Sequence, residues 1–156
     1  MSGVSPKEYT FSAEPKELPK GKYLVIDPCY IIGGDPFWGE MCNWSYKGKF
    51  QNGRPDGFYI QLGKHTLFVW NTAYGDGCYP ASDGNTCGEC GVDAGLLSLV
   101  PMGFVKTCPK NYSDTDRPIT ELGTVLKLDE DSTPEVDNGN LTCGNISVIT
   151  GDGEDD

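Results

Sequence analysis

Three aspartates and three tyrosines stand where the chain reads as reversing direction or ending a strand. Asp27 precedes Pro28 with Tyr30 close behind, Tyr74, Asp76 and Tyr79 share the stretch AYGDGCY, and Asp93 opens DAGLL. Carboxylates and phenols together can bind a divalent cation through hard oxygens or do acid–base work on a phosphodiester. They can also hydrogen-bond a nucleobase stacked on a tyrosine ring. If these strand ends adjoin, they line one cleft, with Trp70 beside it. The candidate ligand-binding set is therefore Asp27, Tyr30, Trp70, Tyr74, Asp76, Tyr79 and Asp93. If the protein is an enzyme, Asp27, Asp76 and Asp93 are the catalytic candidates. A structural role competes for each residue, because aspartate beside glycine is turn chemistry and a buried carboxylate can satisfy loose backbone N–H groups.

The cysteines form a second constellation. Cys87 and Cys90 make a CxxC, with Cys78 nine residues before it and Cys108 eighteen after. Structural zinc needs four converging thiolates or imidazoles; only one CxxC exists, and the single histidine, His65, lies in a different segment. A redox CxxC opens a helix whose end lowers the thiol pKa, whereas this one reads as part of a Gly-rich loop between strands. The bland alternative is a set of reduced thiols and no cofactor. If zinc binds, its ligands are Cys78, Cys87, Cys90 and Cys108. No GxSxG, HExxH, P-loop or GxGxxG occurs, and one histidine rules out any two-histidine mechanism.

The positioning elements read as short strands. Lys22 to Ile32 opens as a β-branched strand that must end at Asp27-Pro28, since proline cannot donate to a ladder. Asp35 to Trp44 reads as a short helix with Asp35 as N-cap and Pro36 at its first position. Gly57 to Leu62 and His65 to Trp70 form a hairpin around Gly63-Lys64, with glycine leading as a II′ turn prefers. Cys78-Tyr79 begins another short strand, Val92 to Val100 is a further one, and Leu122 to Leu128 and Leu141 to Thr150 follow. The expected architecture is mainly β or α+β: a twisted antiparallel sheet, or a small barrel or sandwich, of about seven or eight short strands with one helix. Residues 1–20 read as a loosely attached arm, 21–150 as one globular domain and 151–156 as an acidic tail.

The formal net charge is −11, but residues 129–156 carry nine acids and no base, leaving fourteen acids against twelve bases in the rest. The body is thus nearly neutral, and the acidic end reads as a solvating tail. A DNA mimic would need carboxylates spread over a folded surface. Direct nucleic-acid binding is not expected without a basic stripe. No run approaches the roughly 20 apolar residues that span a bilayer, and the first twenty residues lack the apolar core of a signal peptide.

DPCY at Asp27 to Tyr30, AYGDGCY at Ala73 to Tyr79 and GVDAGLLSLVP at Gly91 to Pro101 occur in an order that resembles a family of small, uncharacterised proteins common in tailed-phage genomes. The likeness covers roughly residues 22–102. It implies phage origin and expression in the cytoplasm of the infected bacterium, with no catalytic residues carried over. The segment Asp83 to Cys90 is longer than the family's usual hairpin. By class, such a protein is expected to act in counter-defence, binding and sequestering a small nucleotide signal of host immunity, as a homo-oligomer. Only Lys22, Arg54, Lys64 and Lys106 are at hand for its phosphates. The alternatives are a carboxylate-dependent hydrolase of a cyclic nucleotide, or a protein-binding inhibitor that includes the acidic DNA mimic.

Overall fold

A computed structural model describes residues 7–34, 36–50, 57–93, 95–108 and 118–151. They form two antiparallel sheets and no closed barrel. The first sheet runs β1 (Thr10–Ser12), β3 (Gly57–Leu62), β4 (His65–Asn71), β7 (Leu96–Pro101), β2 (Gly21–Ile26), β8 (Thr124–Leu128). The second runs β6 (Cys87–Val92), β5 (Gly77–Ser82), β11 (Ile146–Val148), β10 (Asn140–Cys143), β9 (Glu135–Asp137). Helix α1 (Phe37–Phe50) and the short α2 (Met102–Val105) complete the regular structure, with 3-10 turns at Pro28–Tyr30 and Ile119–Glu121.

The apolar pattern explains the layering. Strands of the first sheet are nearly continuous in Val, Ile, Leu and aromatics because both faces are covered. Tyr23, Val25, Phe68, Trp70, Leu97 and Leu99 face the second sheet, while Leu24, Ile26, Leu67, Val69 and Val100 join Phe37, Met41 and Phe104 of the helices. The second sheet alternates, with Tyr79, Ala81, Cys90 and Val92 inward and Cys78, Pro80 and Glu89 exposed. One flank of the sandwich is closed where β6 folds onto β8. A Cβ on Gly88 would lie 2.6 Å from Thr124 Oγ1, and Thr124 Oγ1 donates to the Glu89 carbonyl at 3.0 Å.

Several expectations are corrected by this arrangement. The stretch from Val92 to Val100 is two strands in different sheets, broken at Asp93. The Gly-rich excursion is the β5–β6 hairpin, so the CxxC lies in a strand instead of a loop. Leu141 to Thr150 is a tight hairpin of β10 and β11, not one strand. The helix expected at Asp35 to Trp44 continues to Phe50, and position 35, the expected N-cap, lies outside the described residues. The expected turn at Gly63-Lys64 is present: Gly63 takes φ +62° and Lys64 does not enter the positive-φ region, as II′ requires.

The arm and the acidic end also differ from expectation. Thr10–Ser12 pairs with β3, and Leu18 is fully buried, bridging Ser132 through mutual backbone bonds of 2.7 and 3.1 Å. Most of the acidic end is folded as β9, β10 and β11, so Asp129, Glu130, Asp131, Glu135 and Asp137 stand on a structured surface. Residues 152–156 lie outside the described residues. Among the described residues no helix is long and apolar enough to cross a membrane.

Candidate functional site

The site is built where the chain leaves one sheet for the other. β2 ends at Ile26 because Pro28 cannot continue the ladder, and Asp27, with β-region φ −61° and ψ 124°, caps the 3-10 turn Pro28–Tyr30. Its carboxylate is wholly buried. Oδ1 accepts from the Cys29 N–H at 2.9 Å, and Oδ2 accepts from the Asp93 N–H, 66 residues away, at 2.7 Å. Tyr30 in turn donates its hydroxyl to Asp93 Oδ2. One buried carboxylate thus pins the crossover between β6 and β7 to the end of β2, and Tyr30 is fixed against the same crossover.

The neighbouring turn is tied in by backbone. Thr72 donates its N–H to the Gly95 carbonyl at 3.1 Å and its hydroxyl to the Gly75 carbonyl at 2.8 Å. The Tyr79 hydroxyl reaches the same Gly75 carbonyl at 2.9 Å. A Cβ on Gly95 would stand 3.9 Å from Gly75 Cα, so the two Gly-containing loops lie side by side. Asp76 and Tyr74 are exposed on this turn, Tyr74 to 68 %.

Of the expected set, then, Asp27, Tyr30 and Asp93 are linked by hydrogen bonds, and Tyr74 and Asp76 lie on the adjoining turn. Trp70 and Tyr79 face inward instead. Trp70 is fully buried, stacked on Phe68, and donates Nε1–H to the Gly139 carbonyl at 3.1 Å. Tyr79 packs in the inter-sheet core. Both follow from strand alternation, which aims every second side chain at the core.

A cleft of about 250 Å³ opens beside Tyr30, lined by Cys78, Glu89, Gly91, Glu121 and Leu122. Cys78 and Gly91 are cross-strand partners on the outer face of the second sheet, and Glu121 ends the 3-10 turn after Pro118. Sequence reasoning missed Glu89 and Glu121. For Glu89 the signal was strand alternation with Cys87 and Gly91, hidden once CGEC was read as a loop. Glu121 follows a stretch with no periodicity, and nothing marked it. Of the four bases considered for phosphate, Lys22, Lys64 and Lys106 do not line the cleft, and Arg54 lies outside the described residues.

Two groups at the site, Tyr30 and Cys29, have their ionised forms disfavoured. Burial, then the Asp93 hydrogen bond and charge, pushes the Tyr30 phenol well above its usual range. Burial, then the charge of Asp27 and a hydrogen bond to it, does the same to the Cys29 thiol. Neither is a ready nucleophile near neutral pH, since the thiolate or phenolate is the reactive form.

The cysteines do not converge. Cys87 is exposed and Cys90 buried because residues three apart on a strand face opposite ways. Cys90 sits in the inter-sheet core and donates its thiol to the Val25 carbonyl at 3.3 Å. Cys108 packs on the helix side of the first sheet. A tetrahedral site made of Cys78, Cys87, Cys90 and Cys108 is incompatible with this placement. Among the described residues no group of three or more His, Cys, Asp or Glu is placed to hold a metal. Comparison with protein-family models, with curated proteins and with solved structures finds no match.

Proposed function

We propose that the protein acts by binding rather than by catalysis, and that its ligand enters the Tyr30 cleft presenting N–H donors or positive charge. The observation that supports this most is the use of Asp27. It is the best shielded of the three candidate carboxylates, and its oxygens are committed to backbone N–H groups at 2.9 and 2.7 Å. A general base needs a lone pair within reach of the proton it removes; Asp27 instead works as scaffold. Glu89 and Glu121, which line the cleft, and Asp93, bonded to the Tyr30 hydroxyl, are exposed acids beside a tyrosine ring, an environment that attracts ammonium or guanidinium groups and repels phosphate. A protein partner offering a basic side chain fits this description, which favours the protein-binding inhibitor among the expected functions.

A sequestered nucleotide signal of the host is the second reading, supported by the exposed ring of Tyr74 on the adjoining turn. It requires the base to enter first, with exocyclic amines donating to the carboxylates and the phosphates left in solvent. Calorimetric titration of the protein with short arginine- and lysine-containing peptides and with cyclic and ADP-ribose-type nucleotides separates the two. Binding of the peptides, weakened by salt and by Glu89→Gln with Glu121→Gln, is the expected result. Tight nucleotide binding indifferent to those substitutions would overturn the first reading.

A further inference from the structure

The open flank of the sandwich carries a second, unrelated opportunity. Opposite the closed β6–β8 side, a cavity of about 250 Å³ lies between the sheets, lined by Ala13, Pro15, Gly57, Tyr59, Phe68, Pro134, Glu135 and Val136. Its lining is mostly apolar, with Glu135 the one charged member, and it runs alongside β9, which pairs only with β10 among the described residues.

The register of β9 defines what this edge offers. Asn138 (φ +54°) and Gly139 (φ +83°) form a two-residue turn with both φ positive, the I′ geometry. The pair flanking such a turn, Asp137–Asn140, is the hydrogen-bonded one, so the next pair, Val136–Leu141, is not. The N–H and C=O of Val136 therefore point away from β10, toward the free edge. Its side chain packs inward beside the cavity, while Glu135 and Asp137, alternating with it along the strand, are exposed.

We infer that β9 is a docking edge for an extended segment of a partner protein with the pattern basic–large apolar–basic, added antiparallel opposite Val136. The central residue of that segment exchanges both backbone bonds with Val136 and drops its side chain into the cavity. Its two neighbours fall opposite Glu135 and Asp137, where a lysine or arginine pairs and an acid is repelled. The same pattern disfavours a second copy of this chain. Two β9 strands paired about Val136 would set Glu135 against Asp137 twice, and Pro134 shortens the edge further. Charge and proline are the usual protection of an edge strand, and here they leave open only a strand of opposite charge. This site is independent of the Tyr30 cleft.

The test uses the full chain, ¹⁵N-labelled, and a blocked nonapeptide with Lys-Phe-Lys at its centre between threonines. Expected are shifts centred on the Val136 amide, slowed exchange of that amide, and affinity at least about tenfold above that of the Glu-Phe-Glu and Lys-Gly-Lys peptides. Reversing the exposed charges with Glu135→Lys and Asp137→Lys should invert the preference between the Lys-Phe-Lys and Glu-Phe-Glu peptides. Equal binding of both charge types, shifts confined to the Tyr30 cleft, or dimerisation of the unaltered chain through β9 would each overturn the inference. Loss of peptide binding at the Tyr30 cleft alone would leave the β9 shifts intact and strike only at the cleft's proposed function.

Discussion

Two buried aspartates do similar work in different places, and the contrast between them separates scaffold from site. Asp27 is fully enclosed and holds the Cys29 N–H and, 66 residues away, that of Asp93. Asp83, 5 % exposed, accepts from the Asn85, Thr86 and Lys127 N–H groups at 2.9, 2.7 and 2.8 Å, closing the β5–β6 hairpin and fastening it to β8. Asn145 reinforces that corner by donating to the Asp83 and Lys127 carbonyls. Asp83 has backbone amides around it, and they hold its carboxyl below the usual carboxylate range. Asp27 has a thiol and a phenol-bearing loop around it, and its charge helps push Cys29 and Tyr30 upward. The first aspartate organises groups that face a cleft; the second organises only chain.

The largest expected effect of breaking this comparison is on Asp27. Asp27→Ala leaves two part-buried N–H groups without acceptors, a loss of about 2–5 kcal/mol, read as a lower urea midpoint at unchanged slope. Asp27→Asn should recover part of that loss, because the amide keeps one acceptor while its NH₂ opposes a backbone donor. Asp83→Ala should cost less, since Asn85, Thr86 and Lys127, whose N–H groups it frees, are all exposed residues.

The acid limb reports on Asp83 next. A depressed folded pKa contributes stability that is present above the ordinary carboxylate pKa, near 3.8, and is lost as pH falls through the folded value. Urea unfolding of Asp83→Asn should therefore show a shallower decline in stability below pH 4 than the parent chain.

Tyr30 gives a smaller, alkaline effect. Its raised phenol pKa contributes stability that is present below the ordinary tyrosine pKa of 10 and is lost as pH rises through the folded value. Tyr30→Phe should lower neutral-pH stability by about 1 kcal/mol through the lost Asp93 hydrogen bond, flatten the alkaline decline, and weaken whatever binds the cleft.

The smallest effect is in thiol labelling. Cys78 and Cys87 are exposed and should react with iodoacetamide first. Cys90 and Cys143, buried and with thiols pushed up to about 11, should react only on unfolding.

The strands of the first sheet were legible because both faces bury apolar side chains, so KYLVI, GFYIQL and HTLFVW stand out against polar flanks. The second sheet was legible only in part: Cys78-Tyr79 reads as a strand and lies in β5, but its partner was hidden. β6 is CGECGV, whose inward residues are a cysteine and one valine, and nothing in it resembles a strand until Cys90 and Val92 are seen facing a core supplied by distant strands. The acidic end misled for a related reason: Leu141, Cys143, Ile146 and Val148 are few and widely spaced, yet each lands on the same face. At the site, the convergence of Asp27, Tyr30 and Asp93 was visible as strand-end chemistry. That Trp70 and Tyr79 turn inward was decided by register, which depends on partners far along the chain.

The central claim, a binding cleft whose buried carboxylate is scaffold, is tested most directly by recovering the ligand. Purified protein is incubated with the peptide and nucleotide panel, denatured, and the small molecules identified by mass spectrometry. The account predicts that whatever is bound returns chemically intact, and that Asp27→Asn protein that still folds retains part of the binding. A converted product whose formation disappears with Asp27→Asn in folded protein would contradict it and make Asp27 a catalytic residue.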